Sequence, residues 1–386
     1  MRSRPLALPL LLATLGVTLA GTLAWTTRPA RGPIPQPDIT EYAQGVMANC
    51  MTAKLRGACL KSVAKDLLDR YTLPDVLQVF NQNETRPEFF DRCHETAHYL
   101  GQEAFYRLGS IPAVYAQASR ACLGGTYHGA VEGYLISKRI KADNYDAVRK
   151  EIPNICGDPA QYRVHQEYTE CAHGLGHATM YFTENDLPKA LALCDAGKNF
   201  EEREICYTGA FMANWDSVGS TDHPTQYAKA DDPLYPCYIL DERYQRQCYT
   251  YGVLTTSQNS VERSAELCRQ IPERFRTECF ATIGRDRTMV TADPAELRRQ
   301  CGLIPERDYR LVCLYDAAYN LVVRFGIASD IPFSFCAAAP EEEQAKCYDR
   351  IATAVPNLAP DEASRQAFCD RIPDEEYRLS CGERMR

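Results

Sequence analysis

Basic stripes interleaved with aromatic residues are missing from this 386-residue chain, whose formal net charge is -8. An acidic balance opposes phosphate contacts and argues against nucleic acid as a partner. Asn-Gly and Asp-Gly turns between alternating apolar runs are also missing, and apolar residues recur mostly at spacings of three or four. That pattern argues against a hairpin-built β fold and predicts an all-α one, with helices over residues 62–71, 91–108 and 295–300. Beyond residue 25 no apolar stretch is long enough to cross a bilayer, so membrane contact is expected only through the N-terminal segment. Histidine is scarce: seven residues, six of them between positions 94 and 177 and five of those in three short motifs.

At the N-terminus Arg2 and Arg4 precede an apolar run over residues 5–25 that contains small-residue sequences such as Thr18-Leu19-Ala20. This is the pattern of an export signal, cleaved or kept as a single anchor. The run has no cysteine near its end, so lipoprotein processing has no site. Pro29, Pro33, Pro35 and Pro37 then predict an extended linker over 26–40. An extracytoplasmic location follows, periplasmic or secreted. Asn83-Glu84-Thr85 is a glycosylation sequon of consequence only in a eukaryotic secretory route.

Eighteen cysteines in an exported chain imply disulfides rather than thiols. Taken in sequence order they pair as 50/59, 93/122, 156/171, 194/206, 237/248, 268/279, 301/313, 336/347 and 369/381, the last six separations being 12, 11, 11, 12, 11 and 12. Three stretches align closely, beginning at Cys268, Cys301 and Cys369: each runs Cys, two residues, Ile-Pro, acidic residues, an aromatic followed by Arg, then Cys. First-cysteine intervals of 43, 31, 33, 35 and 33 residues match the period of helix-turn-helix solenoids. Proline suits the first turn of a helix, so each Ile-Pro is expected to start one, with the second cysteine about two turns in. One disulfide would then staple one hairpin, contributing about 2–3 kcal/mol, and the hairpins would stack on a shared core. In period and hairpin logic the C-terminal half resembles Sel1-like and other tetratricopeptide-type repeats. The expected organisation is a signal at 1–25, a linker at 26–40, a helical His-rich domain at 41–190 and Cys-x10/11-Cys hairpin repeats at 191–386, whose surface would suit a protein or peptide partner.

The five clustered histidines fall into three motifs, beginning at Cys93, Cys122 and Glu170. Each contains a ligand-type pair four residues apart: His94/His98, His128/Glu132 and His173/His177. Residues i and i+4 share one helix face about 5–6 Å apart, so both can reach one ion. Seven histidines would give well under one His-x-x-x-His pair by chance, and two are present. These six residues are the expected ligands of a divalent transition metal, zinc first, copper or iron as alternatives. His165 and His223 have no partner at helical spacing and are given no ligand role, while Tyr99, Tyr127 and Tyr134 are read as packing residues.

The stretch His94-Glu95-Thr96-Ala97-His98 resembles the zincin metallopeptidase motif. The resemblance implies that His94 and His98 bind zinc and that Glu95 is a general base. Ala104 stands where metzincins place a third histidine, so His128, Glu132 or the 173/177 pair would complete the site. The expected function is a metal-dependent enzyme of hydrolase type with a mono- or dinuclear site. A copper or iron oxidoreductase and a non-catalytic metal-binding interaction module are the alternatives.

Overall fold

Short polar side chains start many of the helices. Asn144, Asp186, Asn199, Ser260, Asp293 and Asp361 each accept a hydrogen bond from a backbone N–H two or three residues on, satisfying donors that a helix leaves free at its first turn. In the computed structural model the described residues are 38–51, 56–83, 87–140, 144–218, 224–229, 231–257 and 260–384. The export signal, nearly all of the linker, Glu84 and Thr85 of the sequon, and His223 lie outside them.

Every extended element among the described residues is helical, and a lone bridge between Lys229 and Asp232 stands in place of any strand. The chain opens with α1 (Ile39–Met51), α2 (Arg56–Arg70), α3 (Leu73–Asn83) and the long α4 (Pro87–Leu108). Next come α5 (Ile111–Tyr115) with α6 (Gly125–Ser137), α7 (Tyr145–Ile155) with α8 (His165–Phe182), and α9 (Leu187–Cys194) with α10 (Phe200–Asp216). After a linking segment follow α11 (Glu242–Ser257), α12 (Val261–Gln270) with α13 (Glu273–Val290), α14 (Pro294–Cys301) with α15 (Arg307–Phe325), and α16 (Ile331–Ala337) with α17 (Glu341–Ala352). The turn α18 (Val355–Leu358) leads into α19 (Glu362–Cys369) and α20 (Glu375–Arg384).

All nine disulfides join cysteines in sequence order. In α8, α10, α11, α13, α15, α17 and α20 alike the second cysteine is the seventh residue of its helix, two turns in, bonded back to the end of the preceding helix or, for α11, to the short 3-10 turn at Cys237–Ile239. The stapled hairpin therefore begins at Cys156/Cys171, one unit before the repeats expected from 191 onward. That 190/191 boundary falls inside α9.

The proline of the repeat sits differently from expectation. Pro272 is the residue before α13 rather than part of its first turn, and Pro305 precedes the Glu306 cap of α15. The structure explains the rest of the signature. Ile271, Ile304 and Ile372 are buried, and their carbonyls accept hydrogen bonds from Arg276, Arg310 and Arg378 at 3.2, 3.2 and 3.4 Å. The Arg after each aromatic thus binds the turn that the helix leaves behind, meeting an acceptor for which no backbone donor is at hand.

The long helices α4, α6, α8, α10, α11, α13, α15 and α17 lie side by side, each packed on the next, and α18 curls back to touch α8. One continuous apolar core runs beneath them, from Ala43 to Cys381. No helix among the described residues is long and apolar enough to cross a membrane. Nine disulfides point to an oxidising, extracytoplasmic environment.

Candidate metal centre

Glycine lets the histidine-bearing helices approach closely. A Cβ on Gly129 of α6 would lie 1.9 Å from the His98 carbonyl oxygen of α4, and one on Gly209 of α10 would lie 1.9 Å from that of His173 on α8. Real Cβ atoms cannot come so near, so only glycine permits these backbones to touch. With Gly174 of α8, where a Cβ would lie 3.1 Å from His128 Cα of α6, the Gly129 contact brings the side-chain rows of α4, α6 and α8 together.

There, ligand atoms of His94, His98, His128 and His177 all lie within 4.8 Å of one another. His94 Nε2 is 3.1 Å from His98 Nε2, and His128 Nδ1 is 3.3 Å from His98 Nε2. The His128 and His177 rings stack, centroids 4.2 Å apart. His173 adjoins the group, its Nε2 3.3 Å from His177 Nε2. His128 and His177 are buried; His94, His98 and His173 are half-buried, so the cluster keeps an accessible side.

The outward nitrogens define which tautomers are present. His94 Nδ1 lies 2.8 Å from the Cys122 carbonyl, which only accepts, so Nδ1 carries the proton and Nε2 a lone pair. His98 Nδ1 lies 2.8 Å from Glu132 Oε1 and donates to it in the same way. His173 Nδ1 is 2.7 Å from the Thr208 hydroxyl, whose own proton goes to the Ile205 carbonyl at 2.6 Å. Thr208 is therefore the acceptor and His173 Nε2 is free. Three imidazoles are each held from behind and turn Nε2 towards the cluster, the arrangement that orients metal-binding histidines.

The Cys122 carbonyl reaches His94 through an unusual turn. Cys122 and Leu123 have φ of 56° and 55°, left-handed values that cost a non-glycine residue roughly 1–2 kcal/mol each. Gly124 follows at 75° without such a cost. Strain at this point buttresses a histidine.

Two Nε2 lone pairs facing each other at 3.1 Å repel unless something positive lies between them. Nitrogens bound at about 2.0–2.1 Å to one tetrahedral ion are about 3.3 Å apart, which matches the closest separations here. Electrostatics agrees. Burial lowers His94 to about 3 and His173 to about 4, and holds His128 and His177 well below the usual value, so these rings are neutral and able to ligate near pH 7. His98 is the exception: burial pulls it down, but the charge and hydrogen bond of Glu132 raise it overall.

Of the six expected ligands, the structure gathers His94, His98, His128 and His177 into one group and sets His173 beside it. Glu132 stands behind His98: Oε1 accepts from its Nδ1, and Oε2 accepts from Gln102 Nε2 at 2.8 Å. Glu95 is half-buried next to His94, and its negative charge is felt at His98. His165 pairs with Glu201 at 2.8 Å, away from the group. Sequence reasoning missed Gln102 and Thr208. Gln102 lies four residues after His98, on the same helix face; Thr208 stands two residues after Cys206, as His173 does after Cys171.

No protein-family description, no curated protein and no solved structure matches this chain.

Proposed function

We propose that this protein is an exported metalloenzyme that holds a divalent metal, zinc first, between His94, His98, His128 and His177 and uses it for hydrolysis. The observation that carries this reading is the convergence of four imidazoles whose ligand atoms lie within 4.8 Å of one another, with His94 and His98 Nε2 3.1 Å apart and each of those two rings held at Nδ1 from behind. A bound zinc ion supplies Lewis acidity and brings the pKa of water close to neutral. Around it, Cys122, Glu132 and Thr208 hold the ring tautomers, and the half-exposed side of the cluster admits substrate. Glu95, set beside His94 as in the zincin resemblance, is the general base that takes a proton from the attacking water. His173, one short step from His177, is available to replace or supplement a ligand.

A redox reading with copper or iron is favoured by one observation: the converging set is imidazole throughout. Metal analysis of the purified full-length chain separates the two. At least one equivalent of metal silent in spin resonance, with Glu95→Gln keeping the metal but losing hydrolysis of peptide or ester test substrates, supports the hydrolase. Two equivalents with a resonance signal support the oxidoreductase. A protein or peptide partner on the repeat surface is part of the proposal, supported by exposed Tyr238 and Ile239.

A further inference from the structure

The repeat register carries a feature of the site beyond its histidines. His177 stands six residues after Cys171, and the residue six after Cys279 is Arg285. Since each of these cysteines is the seventh residue of its helix, Arg285 occupies on α13 the place that His177 occupies on α8. The helices α8, α10, α11 and α13 pack in succession, and α18 at the far end of the array returns to α8. Two relations link these helices near the histidines. The His173 ring lies 6.3 Å from the Tyr251 ring of α11, and the charge of Arg285 is felt at both His173 and Tyr251.

Most arginines here have an obvious task. Arg120 pairs with Glu170 at 2.9 Å, Arg246 with Glu204 at 2.7 Å and Arg350 with Asp316 at 2.6 Å, while Arg276, Arg310 and Arg378 bind turn carbonyls. The half-buried Arg285 guanidinium reaches only the Thr282 hydroxyl, at 3.2 Å, among the described residues. The acidic groups around it are engaged: Asp286 pairs with Arg287 while also feeling the charge of Arg285, and Glu170 pairs with Arg120 and Gln166. Asp216 is felt at both His98 and Tyr251, and at His173 the charge of Glu170 comes before those of Arg120 and Arg285. Arg285 and Arg287 share the one carboxylate of Asp286, so positive charge is left over that an anionic ligand offsets.

We infer that the space beside the metal centre binds an oxyanion of the substrate, a carboxylate or phosphate group, with Arg285 as its anchor. This rests on the metal-centre reading and names the class of molecule the centre acts on: one with an anionic group adjoining the bond presented to the metal. Arg285 holds that group by charge-assisted hydrogen bonds, and Tyr251 forms the wall beside it.

The test is calorimetric titration of inorganic phosphate and of acetate into the metal-loaded full-length protein, into metal-stripped protein, and into Arg285→Met and Arg285→Lys. Saturable binding of at least one probe to the wild type is expected, weakened about ten- to a hundredfold by Arg285→Met with metal content and helical circular dichroism unchanged. Arg285→Lys, which keeps the charge, should retain part of the affinity and serves as the variant of record should Arg285→Met misfold. Absence of binding by both probes, or equal affinity in wild type and variants, overturns the inference. If the chain takes up no metal, the metalloenzyme reading fails by itself, while Arg285-dependent binding to the stripped protein would still uphold the oxyanion site.

Discussion

Replacing Glu132 by Gln alters two hydrogen bonds and removes one charge, with almost no change in shape. In the native protein Glu132 accepts from His98 Nδ1 and from Gln102 Nε2, both at 2.8 Å. The substituted amide can accept one of these bonds but meets the other donor with its own NH2 group. The variant loses the charge that holds His98 in its Nδ1–H tautomer and gains a donor facing a donor. Loss of such a partner behind a metal-binding histidine typically weakens metal binding 10- to 100-fold, about 1.4–2.7 kcal/mol. Competition with a chromophoric chelator at pH 7.5 measures it. The pH dependence supplies an independent signature. Glu132 raises His98, so in the wild type a proton competes with metal below that raised value, and affinity falls as pH drops towards 6. In the variant burial dominates and lowers His98, so its affinity should change less over that interval. The double substitution Glu132→Gln with Gln102→Glu restores a donor–acceptor match and should regain part of the loss. Unchanged affinity in Glu132→Gln, or an equally steep pH dependence, would refute the role given to this carboxylate.

Other outcomes follow from the same geometry. Gly129→Ala places a methyl group 1.9 Å from the His98 carbonyl and should destabilise the fold by about 3 kcal/mol or more, read as a lowered midpoint of thermal unfolding. His165→Ala, whose ring pairs with Glu201 away from the cluster, should leave metal content at the wild-type level by elemental analysis. Arg310→Ala strips the donor from the Ile304 carbonyl and should cost about 1 kcal/mol in denaturant unfolding without altering metal binding.

The helical class and the order of the disulfides, with the oxidising environment they imply, were legible because they are local. Cysteine separations of 11 or 12 residues leave one hairpin geometry, and the i, i+4 histidine pairs announce a shared helix face. What the sequence left open is three-dimensional. That Glu132 stands behind His98 rather than among the converging nitrogens depends on how α4 crosses α6, which the glycines permit but do not dictate. Thr208 belongs to the next helix, α10, and reaches the site because α10 packs directly on α8. The role of the repeat arginine was hidden for another reason: its acceptor is a backbone carbonyl, invisible to side-chain patterning.

X-ray absorption by the metal-loaded protein addresses the central claim most directly. A first shell of about four nitrogens near 2.0–2.1 Å, with the outer-shell scattering of imidazole, is the predicted result, diminished in His177→Ala. A shell of oxygen alone, a spectrum untouched by His177→Ala, or a purified chain that takes up no metal would contradict it.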